Sequence, residues 1–295
     1  SIYSHTGIQN RHIAADEMAA SDLAVKAAAS ALEKSDIKAK DIDLILVATA
    51  TPDFLGFPST AAIVQDKIGA SHAAAMDITA ACTGFIYAIE TAKAFIESGS
   101  AQNALVIGSE VLSRILDWTD RDTCVLFGDG AGAAIITGNE ESLESNIRHS
   151  ILRSDGSGAE YLLVRGCGSQ RPENNEKVNH PYIHMNGRKV YMFAVKALCE
   201  TIKRLLQDND ENIDDITYIV PHQANIRIIE AAAKRMKIPK EKFYTNIAEF
   251  ANTSAASIPL ALNEMDEKNL LKRGNMILTI GFGGGLTYGG NLIHW

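Results

Sequence analysis

Two stretches far apart in the chain share one shape. "DIDLILVATAT" (residues 41–51) and "NIDDITYIVPHQ" (residues 212–223) each place a continuous β-branched apolar run after an acidic turn. Laying one on the other puts Ala50 on His222, an offset of 172 positions. The same offset carries "ALVIGSE" (104–110) onto "MILTIGF" (276–282), and it brings Cys82 to within about two residues of Asn252. Three separate features that keep one offset indicate an internally duplicated unit, which restricts the fold to architectures with two similar halves.

Helical patterns alternate with these strands. "SDLAVKAAASALEKS" opens on a Ser/Asp cap signal, and "KVYMFAVKALCETIKRLLQ" has apolar residues at helical spacing. Continuous apolar strands between helices predict an α/β chain whose mostly parallel sheets are covered on both faces. The halves are expected at residues 1–145 and 146–295, with the polar, turn-rich stretch "GSQRPENNEKVNHPY" as a surface loop near their junction. Ligands of such sheets collect beyond the carboxyl ends of strands. Cys82, His222, Asn252 and the run "GFGGG" all lie at predicted strand exits. A pseudo-twofold relation between the halves would bring those exits to one place.

The formal net charge is −8, which argues against a protein built to hold a nucleic-acid backbone. No stretch approaches the roughly 20 apolar residues of a membrane span, and the first residues lack the apolar centre of a secretion signal. The expectation is a cytoplasmic protein without nucleic-acid or membrane partners. Cys82, Cys124, Cys167 and Cys199 are widely spaced with no C-x-x-C pair, which fits neither a disulfide framework nor a zinc site. Cys124 and Cys199 read as small buried residues. "HPYIH" contains Pro181 and lacks a third ligand candidate, so no metal site is expected.

Cys82 differs from the other cysteines. Phe85, Ile86, Ile89, Ala92, Phe95 and Ile96 form an apolar stripe at helical spacing, so Cys82 falls at or just before a helix N-terminus. Free backbone N–H groups and the helix dipole there favour a thiolate, and Ala80, Ala81, Thr83 and Gly84 leave room beside the sulfur. A nucleophilic cysteine needs partners for protons and charge. His222 is the best candidate, just past a buried strand and ahead of an amphipathic helix; the alternative is a polar residue that caps that helix. Asn252 in "FANTSAASIPLALNEM" is either a second partner or a helix cap. The glycines of "ILTIGFGGGLTYGG" either let backbone approach a ligand, offering an N–H to an oxyanion, or serve tight packing between layers. "FGDGAGAAI" fits a dinucleotide pattern only superficially, because a strand and not a helix follows it. No phosphate-binding G-x-x-x-x-G-K-[ST] loop occurs either.

The motifs "AACTGF", "GDGAGAA", "VPHQANIRII", "NTSAASIP" and "GFGGGLTYG" resemble the β-ketoacyl-acyl carrier protein synthase III family of bacterial fatty acid synthesis over nearly the whole chain. That resemblance implies a thiolase-like fold of two similar halves in αβαβα layers, a homodimer, and no cofactor, acyl-CoA being a substrate. It implies Cys82 as nucleophile, His222 and Asn252 as its partners, and an oxyanion hole from the N–H groups of Cys82 and Gly284. The implied reaction is decarboxylative condensation of an acyl-CoA primer with malonyl-acyl carrier protein. The resemblance also places Arg121 in a CoA groove, Asn225 near the pantetheine arm, Phe57 at the partner subunit's acyl pocket, and Phe282 as a shield over the triad. Arg227, Lys234 and Arg235 follow His222 at helical spacing and form a basic strip suited to an acidic carrier protein, or else a solvated face.

The chain departs from the family pattern at several points. Ser1 and His5 stand where a Trp and an Arg that touch CoA are common, and Asp122 and Met192 stand where a Gly and a basic residue are common. The family's strand and helix ahead of the "TGI" motif, roughly 30 residues, are expected to be absent. Two other functions are open to the same fold: an acyltransferase acting on an alcohol or amine, which the intact His222 and Asn252 disfavour, and an inactive partner subunit, which would have lost a triad residue.

Overall fold

Residues Leu44–Ala48 are buried at every position, which a strand tolerates only when both faces of its sheet are covered. The computed structural model describes residues 1–142, 144–166, 168–170 and 181–295. Most of the polar stretch at 168–182, with His180, and Cys167 lie outside the described residues.

In chain order the elements are α1 (Ile2–Thr6), α2 (Ala20–Glu33), β1 (Leu44–Ala48), α3 (Thr60–Ile68), β2 (Ala74–Ile78), α4 (Gly84–Glu97), β3 (Asn103–Glu110), β4 (Gly130–Thr137) and β5 (Ile151–Ser154). They continue with β6 (Leu162–Val164), β7 (Ile183–Met185), α5 (Gly187–Asp208), β8 (Tyr218–Pro221), α6 (Ile226–Met236), α7 (Ile247–Phe250), α8 (Ser257–Glu267), β9 (Met276–Gly283) and β10 (Thr287–His294). One sheet has the order β2-β1-β3-β4 and another the order β5-β10-β9-β8. β1 runs parallel to β2 and β3, and β8 runs parallel to β9. β4 and β10 return antiparallel along β3 and β9.

The duplication is visible in this order. β1 matches β8, β3 matches β9, and a parallel bridge from Ile219 to Phe243 stands where β2 flanks β1. A 3-10 turn, Ala81–Thr83, precedes α4, and a second, Ser254–Ala256, precedes α8. Both turns begin on a non-glycine residue at positive φ, Ala81 at 48° and Ser254 at 52°. The turns align Cys82 with Ala255, so Asn252 lies three residues upstream of the cysteine's true counterpart.

Three apolar layers hold the sheets. Ala24, Ala28, Ile45 and Val64 seat α2 and α3 on the outside of the first sheet. Leu198, Ile202, Ile229 and Ala232 seat α5 and α6 on the outside of the second. Between the sheets, Phe85, Ile86 and Ile89 of α4 meet Ile258, Ala261 and Met265 of α8, with Leu46, Val106 and Ile277 from both sheets. The middle layer therefore belongs to both halves. α2 is capped two residues earlier than its Ser/Asp signal suggests: Ala19, not Ser21, is the N-cap, and Asp22 accepts its N–H at 2.8 Å.

A cavity of about 1220 Å³ runs along β4 beside Ala27, Ala133, Ile135, Leu262 and Trp295, and Cys82 does not line it. Among the described residues, the outer edge of β4 has no strand partner, whereas β5 covers that of β10.

The turn before α8 rests directly on β3. A Cβ at Gly108 would strike the Ala255 carbonyl and lie 3.2 Å from the Ala256 Cα. Gly108→Ala is expected to cost about 1–3 kcal/mol by forcing backbone apart, read as a lower urea midpoint at unchanged slope.

Candidate active site

Cys82 sits in the turn between β2 and α4. The Thr287 hydroxyl pins that turn, lying 3.1 Å from the Ala80 carbonyl, 2.9 Å from the Thr83 hydroxyl and 3.1 Å from the Gly284 carbonyl. β9 approaches the cysteine so closely that a Cβ at Gly283 would stand 2.7 Å from the Cys82 nitrogen and 2.9 Å from its Cβ. Only glycine fits there. Among the described residues, neither the Cys82 N–H nor the Gly284 N–H donates to a backbone carbonyl outside the helices and strands.

His222 follows β8, its N–H donating to the Ile280 carbonyl at 2.8 Å. Its ring meets Phe282 edge-on, with centroids 5.2 Å apart. Both ring nitrogens are buried without a hydrogen-bond partner. Gly281 separates it from the cysteine: a Cβ at Gly281 would lie 3.6 Å from the His222 Cβ and 4.0 Å from the Cys82 carbonyl oxygen. His222 is thus not a cap for α6; Asn225 takes that place, accepting from the Arg227 N–H at 2.9 Å.

Asn252 is fixed by its backbone between Leu126 and Gly128, with 3.0 Å hydrogen bonds to each. Its Oδ1 accepts the Ser254 N–H at 2.8 Å. That bond settles the amide orientation and leaves the Nδ2–H₂ as the group to donate. The bond to Ser254 is a turn contact, and Asn252 is the N-cap of neither the 3-10 turn, which begins after Thr253, nor α8, whose N-cap is Ala256.

Burial decides the protonation of the site. It pushes the Cys82 thiol up to about 12, opposed by the Ser254 hydroxyl, with any charge on Glu110 adding to the rise. The helix N-terminus therefore does not yield a resting thiolate, because desolvation outweighs the dipole. Burial also holds His222 down at about 3, so its imidazole is neutral.

The remaining candidates lie further out. Phe282 is buried against His222. Arg121 and Asp122 are exposed on the loop between β3 and β4. Ser1 and His5 are exposed at α1, where His5 Nδ1 is 2.9 Å from the Ser1 carbonyl. Arg227, Lys234 and Arg235 are all exposed on α6, and Arg227 also donates to the Ser4 carbonyl at 3.3 Å. Met192 is exposed on α5, and Phe57 is 89% exposed on the loop after β1. Cys124 and Cys199 are buried, as expected of packing residues. No helix among the described residues is long and apolar enough to cross a membrane.

Sequence reasoning missed Glu110, Ser254 and Gly283. Glu110 ends the otherwise apolar β3 and is fully buried, a signal present in "ALVIGSE" as a lone acid in a buried run.

Two duplicated halves around a shared helical layer, with Cys82 and His222 at strand exits and Asn252 just past α7 rather than at the strand exit expected of it, define a thiolase-like enzyme. Family models described as 3-oxoacyl-[acyl-carrier-protein (ACP)] synthase III match residues 76–156 and, for the C-terminal part, residues 206–295. The β-ketoacyl-[acyl-carrier-protein] synthase III of Clostridium acetobutylicum is 52% identical over 295 residues, covering 100% of this chain and 89% of that protein. The crystal structure of 3-oxoacyl-[acyl-carrier-protein] synthase III from Aquifex aeolicus VF5 superposes with a TM-score of 0.91 at 42% identity, covering 100% of this chain and 90% of that one. The Thermus thermophilus enzyme gives 0.92 at 40% identity, with the same coverage. The chain belongs to the β-ketoacyl-acyl carrier protein synthase III family.

The buried imidazole has a measurable consequence. The unfolded chain protonates His222 below its ordinary value of 6.5, while the folded chain resists until about 3. This group therefore withdraws stability as pH falls from 6.5 towards 3 and has no effect above 6.5. Urea unfolding of wild type should lose more stability across that window than His222→Asn, and the His222 ring resonances should stay flat between about pH 5 and 8.

Proposed function

We propose that Cys82, His222 and Asn252 carry out the family's reaction in this chain, the condensation of an acyl-CoA primer with malonyl-acyl carrier protein to a 3-oxoacyl-acyl carrier protein. The chain is an acyltransferase. The observation that supports the residue assignment is the anchoring of Asn252 Oδ1 on the Ser254 N–H, which leaves its amide N–H₂ to donate, together with a buried His222 whose ring nitrogens have no partner.

In the first half-reaction the Cys82 thiol gives its proton to a His222 ring nitrogen, and the sulfur attacks the thioester carbonyl. The N–H groups of Cys82 and Gly284 receive the oxyanion. Collapse breaks the bond to CoA, which leaves with the proton from His222, and the acyl group remains on Cys82. In the second half-reaction malonyl-acyl carrier protein enters. His222 and Asn252 donate hydrogen bonds to its thioester oxygen, the bond to the carboxylate breaks, and carbon dioxide departs. The enolate carbon attacks the acyl carbonyl, and Cys82 leaves as the new carbon–carbon bond is retained.

Loss of carbon dioxide suits this site. Among the described residues no Lys or Arg is fully buried, and a malonyl carboxylate that enters this buried site loses its water. The product gas is neutral and escapes that cost. Transfer to an alcohol or amine would leave the Asn252 donor without a role, so the condensing reading is preferred.

Arg121 and Asn225 are assigned to the CoA groove and pantetheine arm. The exposed side chains of Phe54, Leu55 and Phe57 form an apolar loop that fits a homodimer contact, with Phe57 at the partner's acyl pocket. Arg227, Lys234 and Arg235 are the docking strip for the acidic carrier protein. The setting is cytoplasmic, where acyl-CoA and carrier protein are supplied.

Incubation with acetyl-CoA or isobutyryl-CoA should add one acyl mass to the intact protein and none to Cys82→Ala. Asn252→Ala should keep that adduct but lose decarboxylation by about 10²-fold or more. No adduct on folded wild type would sink the CoA-primed reading. Charge reversal at Lys234 and Arg235 together should raise KM for malonyl-acyl carrier protein and weaken its salt dependence, with self-acylation by acyl-CoA intact.

A further inference from the structure

Gln223, next in the chain after His222, is buried together with Ser257, the first residue of α8. Its N–H donates to the Ser257 hydroxyl oxygen at 2.8 Å. Its side-chain amide donates to the Tyr244 carbonyl at 2.9 Å and the Pro221 carbonyl at 3.2 Å, and its Oε1 accepts the Asn246 N–H at 3.2 Å. Two carbonyls and one N–H as partners fix the amide in this orientation. Ser257 in turn donates its N–H to the Ser254 carbonyl, and the Ser254 N–H donates to Asn252 Oδ1 at 2.8 Å. A continuous run of hydrogen bonds therefore leads from the Asn252 amide to the residue beside His222.

We propose that Ser257 and Gln223 are positioning residues, whose hydrogen bond sets the separation of the His222 and Asn252 donors so that both reach one thioester oxygen. The proposal rests on the reading of those two residues as the pair that serves decarboxylation.

The other attachments of the two donors give this bond its place. The His222 N–H donates to the Ile280 carbonyl at 2.8 Å, which ties it to β9, the strand on which the Cys82 turn rests. Asn252 is tied by its backbone to Leu126 and Gly128, ahead of β4. Neither tie relates one donor to the other, and the Ser257 hydroxyl does. Two donors that converge on one oxygen tolerate a misplacement of only about 0.5 Å, so a joint that holds their spacing acts on the step that uses both. Attack of the Cys82 sulfur on an acyl-CoA uses His222 without Asn252, and the bond to β9 keeps His222 in place for it.

The first half has no such joint. The alignment of Cys82 with Ala255 sets Gly84 against Ser257, and a Cβ at Gly84 would already lie 2.9 Å from the Ala48 Cβ. Residues 49–51, the counterparts of 221–223, are held instead from β3. There Glu110 Oε1 accepts from the Thr49 hydroxyl at 2.8 Å, the Ala50 N–H at 2.7 Å and the Thr51 hydroxyl at 3.1 Å. The serine hydroxyl thus stands in the half that carries both donors.

The test measures two steps apart: acylation of Cys82 by acetyl-CoA, read by intact mass, and release of labelled carbon dioxide from malonyl-acyl carrier protein by the acylated enzyme. Ser257→Ala should acylate within about twofold of wild type and release carbon dioxide about tenfold more slowly. Ser257→Thr, which keeps the hydroxyl, should restore release to the wild-type rate. In the Asn252→Ala background, Ser257→Ala should slow release by no more than about twofold further, because the spacing it sets no longer has a second donor. Should Ser257→Ala fail to fold, Gln223→Met, which removes the amide bonds to Pro221, Tyr244 and Asn246, carries the same comparison. Equal losses in both steps, or a full tenfold loss added to that of Asn252→Ala, would mean a packing role and overturn the proposal. Release at the wild-type rate from Ser257→Ala would overturn it too. An Asn252→Ala enzyme that releases carbon dioxide as fast as wild type would instead overturn the donor pair itself, and the proposal with it.

Discussion

The fold depends on a reciprocal contact: each half lends a tight turn to the other half's central strand. The turn bearing Cys82 comes from the first half and rests on β9 at Gly281 and Gly283. The turn bearing Ala255 comes from the second half and rests on β3 at Gly108. Both meetings are backbone against backbone, so a side chain at either glycine would push the sheets apart. This contact fixes where Cys82 stands relative to His222, because Gly281 lies between them. It fixes Asn252 as well, because Ser254 belongs to the second turn. The apolar helical layer behind the turns keeps the contact closed.

The chemistry follows from how dry that contact is. Burial keeps both the thiol and the imidazole neutral, so the resting site is assembled from dipoles and hydrogen-bond donors. In the proposed reaction charge appears only during turnover, first on sulfur and then on the enolate oxygen, where preorganised donors are most effective in a low-dielectric setting.

Much of this was legible in the sequence, for definite physical reasons. The duplication was readable because buried parallel strands must be apolar throughout, so "DIDLILVATAT" and "NIDDITYIVPHQ" could not hide their likeness. Cys82 and His222 were readable because strand exits are where sites form, and Cys82 is followed by a clear helical stripe. Three things were not readable. Local sequence suggested a helix-stabilised thiolate, but the burial that reverses this comes from β9 and the second turn, distant in the chain. The partner of Asn252 is two residues away, yet only the backbone at Ser254, with φ of 52°, turns its N–H towards the side chain. Glu110 was visible as an odd acid, but its partners Thr49 and Thr51 come to it only through sheet pairing.

The two turns are alike in backbone and unlike in content. One holds Cys82, while the other holds Ala255, whose Cβ would be 3.6 Å from a side chain at Gly84. On the proposed assignment, a chain assembled from two copies of the first half would carry two nucleophiles and neither His222 nor Asn252, and two copies of the second would carry no nucleophile. Catalytic competence therefore resides in the divergence between the copies. Recombination that made the halves identical could preserve the layered frame, but it would erase the enzyme.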